Sequence, residues 1–193
     1  MLAHVHASQM AFQMEAWPDV IAALDKFLSQ FPESPHHADA LYERGWANYN
    51  TQNYAAAIQD FQNSLRSSRG EINARARFML GRLYALQQKR DDAIKNFRLV
   101  MYGFGGERAS QPIKDLQAQS GFEAGKIIEA QSSKTTGNVK AQHISEARIY
   151  FRYVIQKHSS HNLAAKAKQR LQALFSTSGG KPSDNGDPRK KKA

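Results

Sequence analysis

Apolar residues recur along this chain at helical spacing, and no stretch shows the alternation that a half-buried strand requires. The segment 162–175 is a clear case. Leu163, Ala167, Leu171, Leu174 and Phe175 share one face, and Lys166, Lys168 and Arg170 lie on the other. The pattern predicts helices near 2–15, 18–31, 37–51, 54–67, 71–87, 90–102, 111–132, 139–158 and 162–175. Pro18 and Pro112 fall in first turns, where a missing N–H costs nothing. Phe31-Pro32-Glu33-Ser34-Pro35 stops one helix and turns the chain. Thr51-Gln52-Asn53 and Gln88-Lys89 are short enough to force antiparallel neighbours.

The helices come in repeating pairs. Gly45 and Gly81, Ala57 and Ala93, Ile58 and Ile94, and Phe61 and Phe97 are each 36 residues apart. A fixed period in this range marks a stacked helical array. A third copy is stretched: Phe122-Glu123-Ala124-Gly125 mirrors Phe78-Met79-Leu80-Gly81, but Gly125 and Ala147 are 22 residues apart where the earlier copies have 12. About ten residues are therefore inserted between or within these helices, which the longer loop Lys134–Asn138 joins. The glycine-rich stretch Tyr102–Gly106 is a further break. The units run about 2–35, 36–69, 70–106 and 107–160, followed by a capping helix over 162–175, so that 1–175 is one solenoid. Residues 176–193 lack aliphatic core residues, end in Arg189-Lys190-Lys191-Lys192, and are predicted to be a disordered basic tail.

A small residue, an aromatic, an alanine and a second aromatic at these intervals resemble the tetratricopeptide repeat. Gly45, Gly81 and Gly125 take the close-contact position, Ala57, Ala93 and Ala147 the facing small surface, and Tyr54, Phe61, Tyr84, Phe97 and Phe151 the filling aromatics. Ser8 is the small residue of the first unit, which Ala11 in place of an aromatic and Val20 in place of alanine make the loosest match, and Arg44 and Asn48 depart from the pattern in the second. The resemblance implies an all-α fold, a right-handed α-α superhelix of antiparallel helix pairs whose first helices line a concave groove. It implies groove positions for His6, Gln9, Phe12 and Gln13, then Tyr42, Glu43, Trp46, Tyr49 and Asn50. Arg75, Phe78, Met79, Arg82 and Leu86 follow from the third unit, and Phe122, Lys126 and Glu129 from the fourth. Tyr42, Phe78 and Phe122 would form an aromatic row. The implied function is a scaffold that holds a peptide or partner protein. Arg75 matches one place of the family's carboxylate-gripping set, but Glu43 and Met79 stand where that set needs polar or cationic residues. The linker 31–35 with Ala38-Asp39-Ala40-Leu41-Tyr42 is similar to bacterial members such as outer-membrane-assembly lipoproteins and the periplasmic Tol-system coordinator, which implies a cell-envelope adaptor.

Charge opens an alternative. The chain carries +10 overall, but the part up to Leu65 is at −5 and the part from Arg66 at +15. That asymmetry suits an acidic partner, a charge-matched neighbour within the chain, or a solvated basic surface. A nucleic-acid-binding module would draw on Arg75, Arg77, Arg82, Arg98, Arg148 and Arg152 with interspersed aromatics. The basic tail would suit an anionic membrane surface or simply aid solubility. No catalytic grouping emerges: there is no cysteine, the glycines at 103–106 follow a helix and not a strand, and Asp91-Asp92 sits where carboxylates favour a helix start. The histidine pairs 4/6 and 36/37 share no helical face, and His158 and His161 lack a nearby carboxylate, so no metal or cofactor is expected. No apolar run reaches a membrane span. The N-terminus shows no basic-then-apolar signal pattern, which predicts a cytoplasmic protein if Met1 is the native start and a periplasmic or envelope one if the chain is a piece of a longer precursor.

Overall fold

The computed structural model describes residues 16–176. Eight α-helices and no strand occur among them: α1 Trp17–Gln30, α2 His37–Asn50, α3 Tyr54–Ser67, α4 Gly70–Leu86, α5 Arg90–Gly103, α6 Gln111–Ser132, α7 Gly137–Lys157 and α8 Leu163–Ser176. A single 3-10 turn, Gly106–Arg108, follows α5. The helix expected over 2–15, with its groove residues His6, Gln9, Phe12 and Gln13, and the tail from 177 lie outside the described residues. Two compact units divide within α6, one ending at Ser120 and the other starting at Gly121.

In the first unit each helix packs on the next in sequence from α1 to α5, and α2 also packs on α4. The paired helices are pinned by a repeated steric lock. A Cβ added to Gly45 would lie 2.9 Å from Phe61 Cε1, and one added to Gly81 would lie 2.6 Å from Phe97 Cε1. Real Cβ atoms do not approach so closely, so the glycine lets the ring lie on the helix backbone. Phe61 is fully buried and Phe97 is nearly so. The contact expected to fall on Ala57 and Ala93 falls on the phenylalanines, although both alanines are also fully buried. Burying each ring contributes about 1.5–3 kcal/mol. Each ring also meets an aromatic of the first helix at a tilt, Tyr42 at 5.5 Å from Phe61 and Phe78 at 5.8 Å from Phe97. The earlier end of the unit is apolar: Val20, Leu24, Phe27 and Leu28 of α1 pack with Ala40, Leu41 and Ala47 of α2.

The two tight turns repeat as closely as the helices do. Gln52 and Gln88 adopt positive φ values of 63° and 60°. That twist lets the next amide, of Asn53 or Lys89, donate back to the carbonyl of Asn48 or Tyr84 at 2.8 Å.

Arg44 and Asn48, the departures from the repeat, are halves of one polar cluster. Asp60, 3% exposed, accepts hydrogen bonds from Arg44 Nε at 3.0 Å, Arg44 Nη2 at 2.5 Å and Asn48 Nδ2 at 3.0 Å. Arg44 Nη1 reaches Asp25 of α1 at 2.7 Å. The hydrogen bond to Asp60 holds the Arg44 guanidinium above its ordinary pKa, against the opposing effect of burial. The cluster thus ties α1, α2 and α3 together where the third unit has Leu80, Tyr84 and Asn96.

The second unit repeats the lock. A Cβ on Gly125 would lie 2.7 Å from Phe151 Cε1, and Phe122 stacks 5.8 Å from that ring. Gly121 is a further close contact, 2.9 Å from Tyr153 and Val154, which the repeat pattern did not single out. The predicted insertion is nearly all helix. Relative to the α2–α3 pair, α6 runs two residues further past its glycine, α7 starts seven residues earlier before its alanine, and the loop gains one. Of the expected inward face of α8, Ala167, Leu174 and Phe175 are buried and Leu163 and Leu171 partly so, and α8 packs on α7. Arg148 lies over the Phe175 ring at 4.0 Å, donates from Nη2 to the Leu174 carbonyl at 2.6 Å, and Arg152 approaches the same ring at 5.8 Å.

Candidate functional site

Two of the expected groove helices, α2 and α4, lie side by side in the first unit, and their facing edges are joined by tyrosine–arginine contacts. Arg82 Nη2 donates to the Tyr49 hydroxyl at 2.9 Å, with its guanidinium 5.2 Å from the Tyr49 ring centre. One heptad earlier on both helices, Arg75 interacts with the Tyr42 hydroxyl. Both pairs span 33 residues, so α2 and α4 run parallel. Trp46 sits between the two tyrosines, 6.0 Å from the Tyr49 ring, and is half-buried. Tyr54 of α3 extends the aromatic row, 5.8 Å from Tyr49. Asn50 is exposed and uses its amide on the Trp46 carbonyl at 2.8 Å, closing the end of α2.

The charges on this face are unequally matched. Arg75 forms an i, i+4 ion pair with Glu71. Burial raises the Tyr42 hydroxyl pKa, and the Arg75 charge offsets part of that rise. Glu43, half-buried, has its carboxyl pKa pushed up by burial first and by the Asp39 charge second. Its carboxylate has no ion-pair partner among the described residues, and Arg82 has no carboxylate partner there.

Other expected groove residues are placed differently. Phe78 is 8% exposed and Met79 1%; both are used inside the helix pairs. Leu86 is 58% exposed at the end of α4. In the second unit Phe122 is 8% exposed, and the cations of Lys126 and Arg170 approach its ring at 5.8 and 5.9 Å. Lys126 is paired with Glu123 at 2.8 Å, and Glu129 accepts from Arg170 of α8 at 2.5 Å. The row expected through Tyr42, Phe78 and Phe122 is therefore mostly interior: only Tyr42, whose hydroxyl meets Arg75, reaches a surface. The residues that sequence reasoning left out are Glu71, which neutralises Arg75, and Tyr54, which packs on Tyr49. The i, i+4 spacing of Glu71 and Arg75 was the available signal for the first.

No helix among the described residues is long and apolar enough to cross a membrane. A family model for the tetratricopeptide repeat matches residues 11–72. A crystal structure of a tetratricopeptide repeat protein from Parabacteroides merdae ATCC 43184 superposes with a TM-score of 0.51 and 12% identity, covering 92% of this chain and 73% of that one. No curated protein matches the sequence. Over residues 11–72 the sequence is thus similar to the tetratricopeptide repeat, and over nearly the whole length the fold is similar to that of a tetratricopeptide repeat protein.

Proposed function

We propose that this protein is an interaction scaffold, not an enzyme, and that it holds a peptide or protein segment on the α2–α4 face of its first unit. The observation that carries this is the position of Trp46. It stands half-buried between Tyr42 and Tyr49, with Arg75 and Arg82 across from it. Tryptophan, tyrosine and arginine gathered on one face are the composition of an interface anchor, where single residues contribute about 2 kcal/mol or more. Tetratricopeptide repeats generally serve protein–protein interaction, and the linker 31–35 favours the cell-envelope adaptors among them. The nucleic-acid alternative has less support, because Arg77 donates to Asn73 at 2.9 Å and Arg148 and Arg152 stack on Phe175.

The test compares capture of partners from the native source by the wild-type chain, by Trp46→Ala, and by Leu99→Ser on exposed α5 surface. The proposal expects the wild type and Leu99→Ser to retain the same partner and Trp46→Ala to lose it by about thirtyfold in affinity. Equal retention by Trp46→Ala would refute it.

A further inference from the structure

Building on that reading, we propose that the α2–α4 face recognises a segment carrying a cationic side chain and an anionic side chain in a fixed separation, the cation seated at Glu43 and the anion at Arg82. The aromatic row divides two unmatched charges. At the N-terminal end, Glu43 lies one turn from Asp39 and has no ion-pair partner among the described residues. At the C-terminal end, Arg82 commits one N–H to the Tyr49 hydroxyl and keeps the rest of its donor fork. Arg75, level with Tyr42 at the Glu43 end, is already neutralised by Glu71. The parallel course of α2 and α4 keeps these ends apart instead of letting the charges meet.

The separation follows from helix geometry. Arg82 faces Tyr49, six residues beyond Glu43, which is about 9 Å along the axis at ~1.5 Å per residue. An extended peptide covers that in about three residues. Between the charges the segment crosses Trp46, whose π face also favours a cation arriving at Glu43. Burial and the neighbouring Asp39 charge both disfavour the ionised Glu43 carboxylate, so an incoming ammonium or guanidinium relieves a cost the free protein already bears. A segment with two anions meets repulsion at Glu43, which gives the face discrimination as well as affinity.

The probe is a phage-displayed random dodecamer library, selected on the wild-type chain and counter-selected on Trp46→Ala. Peptides that depend on Trp46 are expected to show Lys or Arg three positions from Asp or Glu. By fluorescence anisotropy, Glu43→Gln weakens such a peptide about tenfold and leaves unchanged a peptide whose cation is replaced by Ala. Arg82→Gln does the same for the anion. Circular dichroism confirms that each variant keeps its helix content. Trp46-dependent peptides without the charge pair, or with equal affinity for Glu43→Gln, overturn the charge code and leave the binding face standing. Failure to select any peptide that distinguishes the wild type from Trp46→Ala overturns both.

Discussion

Replacing Asp60 by Ala tests how the chain uses its departures from the repeat. Asp60 is nearly inaccessible and neutralises Arg44 through two hydrogen bonds, while Asn48 donates a third. Removing the carboxylate leaves a half-buried guanidinium and a buried amide with donors unmatched, a loss of about 3–5 kcal/mol. Asp25, by contrast, is 56% exposed, so Asp25→Ala costs no more than about 1 kcal/mol, although its contact with Arg44 is also short. The third unit supplies the repair. Leu80, Tyr84 and Asn96 occupy the corresponding places, Leu80 is 2% exposed, and Lys89 lies 6.0 Å from the Tyr84 ring where the second unit hydrogen-bonds Asn53 to Asn48. The triple variant Arg44→Leu, Asn48→Tyr, Asp60→Asn removes the buried charges together and is expected to recover at least the wild-type stability. Urea unfolding followed at 222 nm, extrapolated linearly, measures all four proteins. An Asp60→Ala protein within 1 kcal/mol of wild type, or a triple variant no more stable than Asp60→Ala, would refute the reasoning.

Three further outcomes follow from the same packing. Gly81→Ala places a Cβ 2.6 Å from the enclosed Phe97 ring and is expected to cost about 1–3 kcal/mol, whereas Gly103→Ala, with nothing within 4 Å, changes stability by about 0.5 kcal/mol or less; thermal melts of the two separate steric contact from helix propensity. Glu43→Gln is expected to stabilise the chain at pH 7. Because the folded carboxyl pKa is raised, its contribution to stability is full below the unfolded value near 4.3 and is lost as pH rises through the folded one, so the variant's advantage disappears by about pH 3.5 in paired urea titrations. Phe175→Ala removes the ring under Arg148 and the main anchor of α8, a cost of about 3–5 kcal/mol to the second unit, and limited proteolysis should then cut within 163–176 well before the wild type is touched.

The periodic glycines, alanines and phenylalanines were sufficient to read the helix pairs, because each lock is a single steric fact that cannot tolerate a larger residue. The bounds of α3 and α6 coincide with those read from the pattern. What escaped was compensation between positions. Arg44, Asn48 and Asp60 each look like an isolated lapse in an apolar pattern, and only their spatial meeting makes them one cluster. The start of α7 was read two residues late for a different reason. Lys134–Asn138 carries loop residues, yet Gly137, with φ at +57°, is the first residue of α7 and not part of a longer loop. The positive φ at Gln52 and Gln88 had no glycine to announce it; the repetition of glutamine 36 residues apart was its only trace.

The candidate face was harder to read than the fold, because repeat position fixes where a side chain starts and its chemistry decides where it ends. Tyr42 and Phe78 occupy the same place in successive units and both stack on the locked phenylalanine. The tyrosine hydroxyl brings its tip to Arg75, while Phe78, without one, is spent in the interior. The more dependable guide is the residue after each locked glycine. With the glycine held against the partner helix, the next side chain is rotated by about 100° and lands on the rim of the pair. Trp46, Arg82 and Lys126 hold that place, and all three are half-buried. The lock is the same in each pair, so variation at this one position changes surface chemistry with little effect on packing. An indole followed by a guanidinium on adjacent parallel helices is the feature on which the proposed discrimination between partners rests.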